Sequence, residues 1–319
     1  MSLLEVQNLT TYYTTSRGPV RAVEDVSFKL DEGRALGLAG ESGCGKTTIA
    51  LSILRILPYN GKILRGKIIF EGQDIVSLKE SELRNKVRWK GISLIFQGAM
   101  NALNPVYKIE DQIIEAIKVH EPKTSKEEAR KRVKQLFELV GLDPSRTKNY
   151  PHEFSGGMRQ RAMIAAALAC NPKILIADEP GTALDVIVQA QVLKLMSELQ
   201  RKLNLSIIMI SHDLSIISET CNDLAIMYAG KIVEIGDVYS MFKKPLHPYT
   251  KGLIEAFPDI KEQRRKMYAI PGYPPNLLNP PSGCRFHPRC KYAMDICVKK
   301  DPETIEAHKG HFVACHLYQ

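Results

Sequence analysis

Residues Gly40-Glu41-Ser42-Gly43-Cys44-Gly45-Lys46-Thr47 fit G-x-x-x-x-G-K-[ST], a spacing suited to holding phosphate oxygens. Glycines let backbone N–H groups turn inward around an anion, which bulkier residues prevent. A helix opening near Lys46 adds its positive N-terminal end. In such a loop Lys46 neutralises β- and γ-phosphates, and Thr47 ligates Mg²⁺. The second candidate is Ile174-Leu175-Ile176-Ala177-Asp178-Glu179, an apolar run ending in two carboxylates. A buried strand of this kind sets both acids at the C-terminal edge of a sheet, where phosphates bind. There Asp178 holds Mg²⁺ and Glu179 polarises the attacking water. A third segment, Phe154-Ser155-Gly156-Gly157-Met158-Arg159-Gln160-Arg161, precedes a small-residue helix from Ala162 to Ala169. Ser155 and that helix N-terminus make a second anion-binding edge. Each segment alone also has a plain structural reading: a glycine turn, a solvated acid pair, a capped helix.

The elements that position these residues are those of an α/β protein. Ala35–Ala39, Ile174–Ala177 and Ile207–Ile210 are short apolar runs without polar alternation, as in parallel strands buried on both faces. Helical patterns lie between them. Thr124-Ser125-Lys126-Glu127 resembles a capping box opening a helix through Val133, Leu136, Phe137 and Val140, with Gly141 as its stop. Asp185 to Leu203 is another helix. From about residue 245 the character changes. Pro245, Pro248, Pro258, Pro271, Pro274, Pro275, Pro280, Pro281, Pro288 and Pro302 are more than half of the 18 prolines, and regular patterns fade. This reads as a second, irregular module that needs a staple.

Composition narrows the function classes. With 319 residues, 44% hydrophobic and 25% charged, the chain has the balance of a folded globular protein of about two domains. No run approaches the roughly 18 apolar residues of a membrane helix, and Met1-Ser2-Leu3-Leu4-Glu5 lacks the character of a secretory signal. A cytosolic location is expected. The net charge of +9 is compatible with nucleic acid, an anionic membrane surface or a nucleotide pocket. Of 7 cysteines, Cys44, Cys170 and Cys221 are scattered, while Cys284, Cys290, Cys297 and Cys315 crowd the end.

Loop, Ser-Gly-Gly segment and Asp-Glu strand, in this order, resemble the nucleotide-binding subunits of ABC transporters. At the signature the family has Leu-Ser-Gly-Gly-Gln, where this chain has Phe154 and Met158 at the first and last positions. The resemblance implies a P-loop NTPase cassette over residues 1–245 with a helical subdomain at about 98–165. It implies ATP held by Tyr13, Gly40, Glu41, Ser42, Gly43, Cys44, Gly45, Lys46, Thr47 and Thr48. Tyr12 rivals Tyr13 for stacking on adenine. Thr47, Gln97 and Asp178 are the implied Mg²⁺ ligands, and Glu179, Gln97 and His212 the catalytic set. Ser155, Gly156, Gly157 and Gln160 are implied to contact the ATP of a partner cassette. Asp185, in Thr182-Ala183-Leu184-Asp185, lies on the implied dimer-crossing loop. One copy of each motif means that the second cassette comes from another chain, with closure of the pair completing each site.

Asn101-Ala102-Leu103-Asn104-Pro105, Lys244-Pro245-Leu246-His247-Pro248-Tyr249-Thr250 and the tail resemble the di- and oligopeptide importer branch. That implies a second ATPase subunit (a heterodimer favoured over a homodimer), two transmembrane permease subunits and an extracytoplasmic solute-binding protein. It places the chain on the inner face of the cell membrane. Oligosaccharide or nickel import is the alternative within the branch; a soluble ABC ATPase acting on nucleic acid is the remote one. His-Pro-Tyr itself reads as a rigid turn into the tail. The four late cysteines are spaced C-x5-C-x6-C-x17-C, wider than usual zinc pairs. A cytosolic setting disfavours disulfides. The branch resemblance implies a small irregular C-terminal domain, residues 246–319, carrying a [4Fe-4S] cluster on Cys284, Cys290, Cys297 and Cys315, with Zn²⁺ as the alternative.

Overall fold

A computed structural model describes residues 2–98, 102–256 and 270–319. Asn101 and Pro258 therefore lie outside the described residues. The first strands are β1 (Ser2–Thr15), β2 (Gly18–Asp31), β3 (Ala35–Ala39), β4 (Gly61–Phe70), β5 (Gln73–Asp74) and β6 (Ile92–Ile95). Then come β7 (Ile174–Asp178), β8 (Ser206–Ser211), β9 (Asp223–Tyr228), β10 (Lys231–Asp237), β11 (Thr304–His308) and β12 (His311–Ala314). The helices are α1 (Lys46–Leu54), α2 (Glu80–Glu82), α3 (Ile109–His120), α4 (Lys126–Leu139) and α5 (Gly156–Ala167). They continue as α6 (Val186–Leu203), α7 (Leu214–Thr220), α8 (Val238–Lys243), α9 (Pro248–Glu255) and α10 (Asp295–Lys299). The chain divides into two compact units that alternate along the sequence.

One unit holds residues 1–3, 30–34 and 72–210. Its strands β6, β7 and β8 run parallel, with Ile92 opposite Ile174 and Ile174 opposite Ser206. All five residues of β7 are buried. This is the two-sided burial that unbroken apolar runs predict. Helix α4 opens on a capping box one residue later than expected. Ser125 accepts from the Glu128 N–H at 3.1 Å, and the Glu128 carboxylate receives the Ser125 N–H at 2.7 Å. Val133 and Phe137 lie on its buried face, and Gly141 follows at φ 70°, a left-handed stop that glycine adopts without strain. Helices α5 and α6 meet closely at Gly157, where a Cβ would stand 2.5 Å from Val188 Cγ1.

The other unit holds residues 4–29, 35–71 and 211–319. In it β1 pairs with β4 in antiparallel register, Leu4 opposite Phe70 and Val6 opposite Ile68. Strand β2 flanks β1 and alternates buried Val26 and Phe28 with exposed neighbours. An antiparallel sheet thus stands beside the parallel strands that the unbroken apolar runs predict. The period-two alternation of β2 is the signal of a strand with one solvated face. A second sheet runs β11-β12-β10-β9-β3, with only β3 and β9 parallel. The tail is likewise more regular than its prolines suggest: β11 and β12 form a hairpin across Lys309-Gly310, Gly310 at φ 72°. Tyr228, Tyr249 and Phe286 pack mutually with centroids 4.6 to 5.3 Å apart, in edge-on and tilted geometries favoured by aromatic rings. Burial of each such ring contributes about 2–3 kcal/mol.

Candidate functional site

The glycine loop adopts backbone angles that only glycine takes freely. Gly40, Gly43 and Gly45 have φ of 149°, 78° and 109°. A Cβ on Gly40 would stand 2.1 Å from Met227 O, and one on Gly45 2.2 Å from Ala22 O. Lys46 is buried and folds over the loop, donating to Gly40 O at 2.7 Å and Glu41 O at 3.1 Å. Gly45 caps α1, so the loop ends on a nine-residue helix whose first amides face out of it. Thr47 is exposed in that first turn, and Ser42 and Gly43 are exposed beside it. The Cys44 thiol is buried, and burial pushes its pKa up. It is packing, not a nucleophile.

Two tyrosines compete in β1, and their surroundings differ. The Tyr13 hydroxyl donates to Thr48 Oγ1 at 3.1 Å, next to the loop, and its ring lies against Gly61. The Tyr12 hydroxyl donates to Glu24 at 2.8 Å. Glu24 in turn pairs with Arg285 at 2.6 Å. Tyr13 is thus the one beside the phosphate loop. His212 is exposed directly after β8, ahead of Asp213, whose carboxylate caps α7 through Ser215 N at 2.9 Å.

In the other unit, the end of β7 gathers a hydrogen-bonded group around Glu179. Gln97 Nε2 donates to Glu179 Oε2 at 2.8 Å, and Thr182 Oγ1 donates to the same oxygen at 3.1 Å. Glu179 takes φ 48°, a left-handed angle costing about 1–2 kcal/mol in a residue with a Cβ. Its N–H donates to Ile210 O at 2.9 Å, which fixes the strained peptide. Asp178, one residue earlier, is buried. Gln97 and Glu179, two residues of the expected catalytic set, are thereby brought together. Thr182, which the resemblance sets on the dimer-crossing loop, joins this group, and its hydroxyl three residues past an acid is the sequence signal for it.

The signature segment caps a helix as its sequence suggests. Ser155 Oγ accepts from Met158 N at 3.4 Å, with Gly156 and Gly157 in the first turn. Gln160 is only 3% exposed, and its buried Nε2 has no hydrogen-bond partner among the described residues. Asp185 caps α6 by accepting from Val188 N at 2.9 Å.

The metal centre expected in the tail is not assembled. All seven cysteines are free thiols. Among the described residues no group of three or more His, Cys, Asp or Glu side chains stands together closely enough to hold a metal ion. Burial pushes the Cys284 thiol up to about 12 and raises Cys290 and Cys315 as well. The donor types suit a soft metal, and Cys290, Cys297 and Cys315 all act electrostatically on the Cys284 thiol. Near them stand His287, which contacts Cys284 O at 2.9 Å, and His316, which contacts Lys300 O at 2.8 Å. His311 meets the fully buried Glu234 at 2.7 Å.

No helix among the described residues is long and apolar enough to cross a membrane. Residues 23–182 match the family described as ABC transporter, and residues 233–297 match the oligopeptide/dipeptide transporter C-terminal region. The oligopeptide transport ATP-binding protein OppD of Bacillus subtilis (strain 168) is 48% identical over 99% of this chain and 88% of its own length. The dipeptide transport ATP-binding protein DppD of Escherichia coli (strain K12) is 42% identical over 99% of this chain and 97% of its own. Among solved structures, the dimeric bacterial ABC transporter cassette MJ0796 superposes with a TM-score of 0.65 at 25% identity, covering 74% of this chain and 98% of that one. The glycine loop, the Asp-Glu strand end and these likenesses together establish that the chain belongs to the ABC transporter family of ATP-binding proteins.

Proposed function

We propose that this chain hydrolyses ATP to power an importer of di- and oligopeptides. The observation that carries the hydrolytic part is Glu179, strained in its backbone and held by Gln97 and Thr182. A carboxylate fixed by two donors is suited to orient and deprotonate water, and geometric fixation of this kind is a large share of phosphoryl-transfer catalysis. Gly40 to Thr48 and Lys46 take the phosphates, and Tyr13 stacks on adenine. Tyr13's place beside Thr48 supports this over Tyr12. Thr47, Gln97 and Asp178 would supply hard oxygen donors of the type Mg²⁺ takes. When bound, Mg²⁺ neutralises phosphate charge. His212 contacts the γ-phosphate.

Residues 1–245 form the cassette, with its helical part at about 98–165, and 246–319 the importer-type tail. Ser155, Gly156 and Gly157 face the nucleotide of a second ATPase subunit, and Asp185 lies at that dimer contact. The second subunit is a different cassette, and the pair works on the inner membrane face with two permeases and a solute-binding protein. Peptide as the cargo rests on the names of the relatives and on the match of the C-terminal region. The test is Mg²⁺-dependent ATPase activity of the chain reconstituted with its partner cassette and permeases. Stimulation by peptide-loaded binding protein is expected; stimulation by an oligosaccharide- or nickel-loaded one instead would overturn the cargo.

For the tail, the finer reading is that Cys284, Cys290, Cys297 and Cys315 draw together on a [4Fe-4S] cluster. Their mutual influence within one module supports it. A featureless visible spectrum after anaerobic purification would reject it, and stoichiometric zinc would replace it.

A further inference from the structure

The His-Pro-Tyr and Cys-Arg-Phe-His-Pro-Arg-Cys segments both reach the phosphate loop. Tyr249 is fully buried, and its hydroxyl accepts the N–H of Glu41 at 3.0 Å. Arg289 donates to both carboxylate oxygens of the same Glu41, at 2.6 and 2.9 Å. Its Nε donates to Pro271 O at 2.8 Å, and a third contact reaches the Tyr228 hydroxyl at 3.3 Å. With every arm engaged and its side chain 6% exposed, this guanidinium is fixed, and a bidentate fork fixes the carboxylate's direction in turn. Four residues earlier, Arg285 donates to Ala229 O and to Glu24. The next amide, Gly230 N, donates to Cys44 O at 2.8 Å. The loop is therefore gripped at Glu41 directly and at Cys44 through one turn.

We propose that the C-terminal tail positions the phosphate loop for nucleotide, with Arg289 and Tyr249 as positioning residues acting through Glu41. The inference rests on the reading of Gly40–Thr47 as the ATP loop. Two physical effects make the grip consequential. Glu41 carries a negative charge on a loop that must accept a triphosphate, and an unpaired carboxylate there repels it. Arg289 neutralises that charge and holds it in one place. Tyr249 takes the Glu41 amide, fixing the peptide plane from which the inward-turning amides that follow are built.

The test is the Kd of Mg-ATP for the purified full chain, read by displacement of a fluorescent ATP analogue. Arg289→Gln is expected to weaken binding roughly tenfold. Arg289→Lys, which keeps charge but not the fork, should fall between. Glu41→Gln added to Arg289→Gln should recover most of the loss, because the repelling charge is gone; a merely structural arginine would not be rescued this way. Tyr249→Phe, which keeps the packed ring, should weaken binding about threefold. It carries the test alone if Arg289→Gln does not fold. Unchanged Kd in a cooperatively melting Arg289→Gln, or no recovery in the double variant, overturns the proposal, as does unchanged Kd in Tyr249→Phe. An unmodified chain that binds no ATP would instead refute the reading of the loop itself.

Discussion

The end of β7 and the phosphate loop both manage anionic chemistry, yet they are held in different ways. Glu179 is fixed by Thr182, three residues on, and by Gln97, 82 positions away but on the neighbouring strand's exit. The phosphate loop is fixed by its own glycines and lysine, and then by Tyr249 and Arg289, 208 and 248 positions away. The first arrangement is built from residues of its own unit near the end of β7. The second borrows its outer support from the tail. Changes around Glu179 should therefore strike turnover, and changes in the tail should strike nucleotide affinity.

The largest expected effect lies in the loop itself. Gly40→Ala forces a Cβ to within 2.1 Å of Met227 O at φ 149°, costing about 3 kcal/mol or more and abolishing ATP binding. Gly43→Ala, with φ 78° and no atom within 4 Å, should cost only about 1–2 kcal/mol. Chemical denaturation of both variants checks the contrast; equal losses would mean that the close approach to Met227 is not real.

Acid stability tests the tail's anchor. His247 is buried, and burial, with Lys251 assisting and Glu234 opposing, lowers its pKa from 6.5 to about 4. Its neutral Nδ1 accepts the Tyr249 N–H at 3.0 Å, holding the start of α9. The unfolded chain takes a proton on this histidine near pH 6.5, whereas the fold refuses it until about 4. Stability from this group is full above pH 6.5 and is lost as pH falls to 4, by about 3 kcal/mol. Unfolding titrations across that window should show a shallower loss in His247→Asn, whose amide oxygen still caps the helix. An identical slope would show that another group controls it.

A smaller effect separates the regions most cleanly. Thr182→Val removes one of the two donors on Glu179 Oε2 and should lower kcat roughly tenfold with KM for ATP unchanged. Steady-state kinetics of the reconstituted complex read both constants. A shift in KM instead would erase the distinction between the two regions.

How far the sequence speaks follows from the same contrast. The glycine loop, β3, β7 and the caps at Ser155 and Asp185 are local patterns, and the structure places them within a residue or so of the expected bounds. The antiparallel pairing of β1 with β4 joins strands whose register is set by partners some sixty residues apart, although the alternation in β2 was there to read. The β11–β12 hairpin was masked by prolines earlier in the tail. The grip of Arg289 on Glu41 has no local signature, since an arginine between two cysteines says nothing about an acid 248 positions away. The four cysteines run the other way: their spacing suggests convergence, and among the described residues no three of them stand closely enough to hold a metal ion.

The most direct test of the central claim is Glu179→Gln in the reconstituted complex, measured for ATP binding and for single-turnover hydrolysis in the same preparation. The substitution keeps the side chain's shape and removes the base. Hydrolysis should fall by about 10² to 10⁴ while ATP still binds. Normal turnover in this variant would contradict the assignment of Glu179 as the residue that activates water.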